Sequence, residues 1–416
     1  MKIAIVGSGV SGLVCAWLLR KDHDVVVYEA DDRIGGHTHT HQLELDGQKV
    51  AVDTGFLVYN ERTYPLFCGM LERLGVATQK SDMSFGVSDH ITGTEWRGTS
   101  LASVFAQPSN ALKVPFWQML ADIARFNRVC LRLLDDPPAS SVTLEDVLAG
   151  HRWSDSFREW YLLPLGSSIW SAAPSTFTRI PAATFARFFE RHGLLRLRDQ
   201  PEWRTVTAGA QSYVDAIAGP LHREGRIRTG DAVEKLRRLP GEVEVVAGDG
   251  TSSYDHVIVA AHSDQALRLL ADADRLERSV LGAIRYQANV ATLHTDTSLM
   301  PRAKRAWASW NYLRTAGESD RATLTYHLNR LQGIDTPTQL FVTLNRSALI
   351  RPDKVLAQME YSHPVLEPGA VGAQARHSDL NGRRRTWFCG AYWGYGFHED
   401  GVRSAVEVCR SFGASL

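Results

Sequence analysis

The chain opens on a short apolar run, Ile3 to Val6, that passes directly into Gly7-x-Gly9-x-x-Gly12. A helical spacing of apolar residues follows (Leu13, Ala16, Trp17, Leu19), then a second apolar run, Val25 to Tyr28, ending on Glu29. Strand, glycine turn, helix and strand in that order constrain the fold more than any other feature, because the turn brings backbone close to a dinucleotide. Gly7 permits the tight turn, Gly9 lets a pyrophosphate approach, and Gly12 lets helix and strand pack. The N-terminus of the helix, at Val10 and Ser11, offers N–H groups and a positive dipole end to phosphate. Glu29, 17 residues after Gly12, suits ribose hydroxyls and repels a 2′-phosphate, so FAD or NAD is expected over NADP.

Ala30 and two aspartates lead to Arg33-Ile34-Gly35-Gly36. Arg33 has the fork to pair with a pyrophosphate, and Gly35 and Gly36 let the chain pass a cofactor closely. The fingerprint followed by E-x-x-x-R-x-G-G resembles the FAD-binding amine oxidase superfamily, which also holds protoporphyrinogen oxidases and phytoene desaturases. Within it, stretches such as GHTHT, DTGFLVYNERTYP and GYGFHEDG resemble a bacterial branch described as NAD/FAD-binding oxidoreductases. The resemblance implies an α/β fold: a Rossmann-like FAD-binding domain of the GR2 flavoprotein type, interleaved with an α+β substrate domain. It also implies non-covalent FAD.

The C-terminal segment carries a second glycine-rich edge. Phe388-Cys389-Gly390 and then Gly396-Phe397-His398-Glu399-Asp400-Gly401-Val402 resemble the superfamily's F-A-G and G-x-x-E-G-A stretches. By that resemblance Gly390 approaches the pyrophosphate, and the backbone of Asp400, Gly401 and Val402 approaches flavin N1 and O2. A helix start there would stabilise negative charge on a reduced flavin. Asp231-Ala232-Val233 ahead of an apolar run at 257–261 resembles the strands that contact adenine, which places Val233 in the cofactor set. Asp53-Thr54-Gly55-Phe56 lies where the superfamily runs beside the ring, adding Thr54, Gly55 and Phe56. Thr207 to Tyr213 resembles a glycine-rich active-site turn that has lost one glycine. His37, directly after Gly36, is placed near the ribityl or ring. His37, His39 and His41 would share a face on a strand, but a flavin-proximal or structural role is preferred to a metal, and no metal site is expected.

The 416 residues contain 46 Lys and Arg, 46 Asp and Glu, and five widely spaced cysteines without a C-x-x-C pair. That balance gives no nucleic-acid signature, and the cysteines suit a reducing compartment better than a disulfide framework or a zinc site. No leader-like N-terminus and no apolar stretch of membrane-spanning length is read, so a cytoplasmic location is expected. Peripheral membrane contact and the oligomeric state stay open. The expected division is residues 1–75, 205–285 and 365–416 for FAD, and 76–204 and 286–364 for substrate. Apolar spacing predicts a helix through 112–134, Thr143 a capped helix start, and Asp46-Gly47 a hairpin. The aromatics Trp153, Phe157, Trp160, Tyr161 and Trp170 read as core. The interleaved apolar and basic residues from Phe185 to Arg198 read as a helix with a solvated face, with an acyl-chain or membrane role as the alternative.

In the superfamily two aromatic rings flank the substrate. Phe397 matches one; the other aligns near Met359, with Tyr361 and His363 close by. The lysine that bridges to flavin N5 through water aligns near Asn289 or Val290 and is missing, and the cysteine that can bind flavin aligns near Gln358. These departures favour hydride removal from a C–H bond of a largely apolar, fatty acyl or isoprenoid-like substrate onto flavin N5. Phe397, His398 and Glu399 are the predicted catalytic set, with Glu399 or Asp400 as a base or, by preference, a helix cap. The alternatives are an amine oxidase that uses oxygen and releases peroxide, and a non-catalytic flavin-binding lipid or interaction module.

Overall fold

The computed structural model describes residues 1–98, 101–196, 200–248, 250–316, 321 and 323–416, with the side chains of residues 101 and 102 not described. Leu197 and Arg198 of the basic segment lie outside the described residues. Five strands make a parallel sheet: β1 (Lys2–Val6), β2 (Asp24–Tyr28), β3 (Ile227–Arg228), β4 (His256–Val259) and β5 (Thr386–Phe388). Their order is β3-β2-β1-β4-β5, with Ile3 opposite Val25 and His256. Ile3, Ile5, Val25, Val27 and Ile258 face one apolar cluster; Ala4, Val6, Tyr28, Val257 and Val259 face another. Alternate residues point to opposite faces, so a parallel sheet covered on both sides needs apolar residues throughout.

Three helices cover the first face: α1 (Val10–Leu19), α2 (Gln211–Arg223) and α3 (His398–Arg410). The second face packs against an antiparallel sheet of Val233–Arg238, Val243–Ala247 and Gly250–Tyr254. A separate seven-stranded sheet includes Tyr286–His294, Trp310–Arg314, Phe341–Leu344 and Val355–Pro364. A helical layer lies beside it, with its longest member at Val114–Asp135. Phe157, Trp160 and Trp170 are buried, which makes those aromatics core rather than binding surface. The hairpin forms at Asp46 and Gly47, both at positive φ (52° and 76°), as a two-residue turn matching strand twist requires. The Thr143 capping box with Asp146 is present. Among the described residues no helix is long and apolar enough to cross a membrane.

Candidate functional site

The glycine turn is tight on one side and open on the other. Gly7 adopts φ 101°, and a Cβ there would meet the Ala260 carbonyl oxygen at 2.9 Å. A Cβ on Gly12 would stand 1.9 Å from the Gly7 oxygen, whereas one on Gly9 would meet nothing within 4 Å. Gly9 caps α1 with no side-chain cap and no acid in the first turn. The first N–H groups of a helix have no intrahelical partner, so those at Val10 and Ser11 are available to an anion. Glu29 accepts from the Ser8 amide (2.9 Å), the Ser8 hydroxyl (2.5 Å) and the Asp31 amide (3.0 Å). A carboxylate has about four acceptor sites, which leaves room for ribose hydroxyls. Ala30 is exposed just beyond it. Val233 begins the antiparallel sheet opposite Ala247 and is half-buried.

Arg33 is anchored to the loop that follows it. Its guanidinium donates to the carbonyls of Thr38 (2.8 Å) and Gly36 (2.7 Å), so part of its five-donor fork holds the glycine loop in shape. Gly35 donates to the Ser8 carbonyl (3.1 Å), and a Cβ on Gly36 would press on Gly9 Cα at 3.0 Å. The two glycine loops are therefore stacked backbone on backbone. The C-terminal edge closes the same place. Ser11 Oγ donates to the Gly401 carbonyl (3.0 Å), and a Cβ on Gly401 would meet Val10 at 2.8 Å. Gly390 exchanges hydrogen bonds with Ser404, and Val402 is buried. This cradle of glycines and open helix N–H groups has the donor set that FAD needs.

His37 separates from the other two histidines of its run. His39 and His41 stack on each other at 4.1 Å, while the His37 ring sits 5.9 Å from His262, 5.1 Å from Tyr361 and 5.5 Å from His363. The three do not share one strand face, because the strand begins only at Thr40. Burial and the neighbouring imidazoles push His37 well below the usual histidine range. His363 is pushed down to about 4, mainly by burial. Asn289 makes two amide bonds that fix its orientation: Nδ2 donates to the Gln287 carbonyl, and Oδ1 accepts from Asn345 (2.8 Å). His363 Nδ1, 3.1 Å from Asn289 Nδ2, is therefore an acceptor, and its proton resides on Nε2. Thr54 bonds Tyr361 (3.1 Å), and a Cβ on Gly55 would stand 2.0 Å from the His37 oxygen. The Phe56 amide donates to that same oxygen (3.1 Å).

Phe397, His398 and Glu399 face three different surroundings. Phe397 stacks on Phe188 at 5.5 Å and lines a cavity of about 690 Å³ with Tyr64, His192 and Tyr395. His398 turns inward, stacked on Phe56 at 3.7 Å and within 3.1 Å of Thr38 Oγ1 and 3.2 Å of the Tyr213 hydroxyl. Burial drives it down to about 3, so it is neutral and clamped rather than poised for proton transfer. Glu399 accepts from the amides of Leu66 (3.2 Å) and Phe67 (2.9 Å), capping the helix Pro65–Leu74. Burial raises it to about 7 against those two bonds. Asp400 accepts from Tyr395 and Phe397 amides (3.0 Å each) and from Arg403, so it caps α3. The structure thus gives His398 the surroundings of a clamp and Glu399 the amide partners of a cap. Gly396 to Val402 is also one residue longer than the G-x-x-E-G-A pattern it resembles.

Two groups escaped the sequence reading. Asp53 caps α2 by accepting from the Ala210 amide (2.9 and 3.0 Å) and is raised by burial to about 6. This uses the turn that has lost one glycine: Ala208 takes positive φ (60°), and Gly209 faces Thr40 too closely for a Cβ. His192, whose Nε2 lies 3.4 Å from Thr63, walls the cavity beside Phe397. No local sequence signal marks either.

A family profile described as flavin containing amine oxidoreductase matches residues 10–325. Tryptophan 2-monooxygenase of Allorhizobium ampelinum is 35% identical over 24% of this chain and 13% of its own length. A putative flavin-containing monoamine oxidase of Mycobacterium tuberculosis is 26% identical over 62% and 56%. The chain thus aligns with well under two thirds of these curated relatives. Among solved structures, cyclohexylamine oxidase from Brevibacterium oxydans superposes with TM-score 0.71 at 16% identity, covering 99% of both chains. A fatty acid isomerase from P. acnes gives 0.68 at 16%, covering 99% and 98%. At these identities both speak to the fold alone.

Proposed function

The chain belongs to the flavin containing amine oxidoreductase family, and from that premise we propose that it removes a hydride from a C–H bond of a largely apolar substrate. FAD is the cofactor of this family, and when bound it supplies the hydride acceptor at flavin N5. In our reading Gly7, Gly9, Val10, Ser11, Gly12 and Gly390 take the pyrophosphate, and Glu29, Ala30 and Val233 the adenosine end. Arg33, Gly35 and Gly36 shape the loop between them. His37, Thr54, Gly55, Phe56, Asp400, Gly401 and Val402 take the ring end, Asp400 through its backbone. The binding is non-covalent. All five strands of the parallel sheet fall in segments 1–75, 205–285 and 365–416, which supports assigning those to FAD and the remainder to substrate.

The observation that carries the proposal is the cavity at Phe397. Its floor is aromatic, and Glu399 and Asp400, its carboxylates next to α3, are held by amides and by Arg403. In this reading the chain's part is to desolvate and position a carbon beside Phe397. The second reading, an amine oxidase, rests on the family description and on the fold of cyclohexylamine oxidase. Anaerobic mixing of the flavin-loaded protein with candidate substrates separates the two. Bleaching by apolar compounds without an amine supports the proposal; bleaching by amines alone overturns it.

A further inference from the structure

The 397–401 segment has the nucleotide turn on one side, through Gly401 against Val10 and Ser11, and the 690 Å³ cavity on the other, through Phe397, Glu399 and Asp400. That volume lies within the range of small-molecule sites. Toward solvent the cavity is rimmed by Arg62, Arg191, Arg196 and Arg403, against the acids Glu190, Glu399 and Asp400. Asp400 is engaged by Arg403 and two amides, Glu399 by the amides of Leu66 and Phe67, and one oxygen of Glu190 by Arg196, while its other oxygen is buried without a hydrogen-bond partner. Arg191, the last residue of the helix Ala182–Arg191, stands exposed at the mouth. The same helix sends Phe188 inward against Phe397 and Tyr395. Arg62 shares the rim from the loop before the helix Pro65–Leu74.

A guanidinium is a planar, permanently charged donor that suits a carboxylate. Set over an aromatic floor, the rim distinguishes the two ends of an amphiphile. With four arginines to three acids, it favours a carboxylate head over a neutral or an ammonium one while the tail runs down toward Phe397. We infer that this cavity binds a long-chain carboxylate, with Arg191 at the head group and the chain lying on His192, Tyr395 and Phe397. The inference rests on the proposed apolar-substrate reading and adds the head group to it.

The test is calorimetric binding of dodecanoate, dodecanol, dodecylammonium and L-tryptophan to the flavin-loaded protein, run beside anaerobic bleaching with the first two. Dodecanoate is expected to bind at least about tenfold more tightly than dodecanol, as one charge-assisted contact provides. Arg191→Met should remove most of that preference, and Arg191→Lys should retain part of it. Dodecanol affinity should be unchanged in both, which a general loss of structure would not produce. If dodecanol or dodecylammonium binds as tightly as dodecanoate, or if L-tryptophan does, the inference falls. It also falls if Arg191→Met leaves the preference intact. Bleaching by dodecanol without any carboxylate preference would refute the head group and leave the apolar-substrate reading standing. Carboxylate binding that depends on Arg191 but never leads to bleaching by any apolar compound would do the reverse.

Discussion

Glu399 keeps its proton unusually high, about 7 against 4.5, because burial outweighs the two amides it accepts from. Between those values the native chain retains a proton that the unfolded chain has released. Stability from this group is therefore present below about pH 4.5 and lost as pH rises through about 7. Asp53 acts with the same sign between 3.8 and about 6. His398, held down to about 3 from 6.5, acts oppositely, costing stability as the pH falls below 6.5. Glu399→Gln isolates the first term by difference. Its melting temperature should fall less steeply than the wild type's between pH 5 and 7.5; equal slopes would rule out a protonated native Glu399. The side chain of Phe397 serves the cavity instead. Phe397→Ala should weaken binding of an apolar substrate by about tenfold, from about 1.5 kcal/mol of lost apolar contact, with flavin content unchanged. Loss of flavin on that substitution would show that the ring supports the cofactor and not the cavity.

At the scale of elements, the strand–turn–helix unit makes two neighbouring glycines experimentally distinct. Gly12 is closed off by the Gly7 carbonyl, while Gly9 faces open space. Gly12→Ala should lower the melting temperature and the flavin content together. Gly9→Ala should melt close to wild type yet purify with little flavin, because its methyl projects only into the space assigned to phosphate. A Gly9→Ala protein that retains its full flavin absorbance would remove the phosphate from that turn. These glycines were legible in the sequence because one short stretch contains the strand, the turn and the helix that give them meaning. The Asp46-Gly47 hairpin and the Thr143 box were legible for the same local reason. The jobs of Glu399 and Asp53 were not, since their amide partners lie 332 and 157 residues away. His37 was set apart by its place after Gly36, but only the folded chain sets it against His262, Tyr361 and His363. Arg33 also bonds the carbonyls of Gly36 and Thr38, which spacing alone does not reveal.

On the scale of the whole molecule, the first helix and the last are locked together through Ser11, Val10 and Gly401. The segment that closes the nucleotide turn also floors the cavity, so substrate and cofactor would meet across residues 397–401. That arrangement makes the identity of the hydride donor the claim on which the account depends. The measurement that reaches it most directly is the anaerobic absorbance spectrum of the flavin-loaded protein, mixed in turn with an apolar substrate and with an amine of matched carbon skeleton. The account predicts loss of the oxidised flavin band with the apolar compound and slower or no loss with the amine. Rapid bleaching by the amine, with the apolar compound inert, would contradict it.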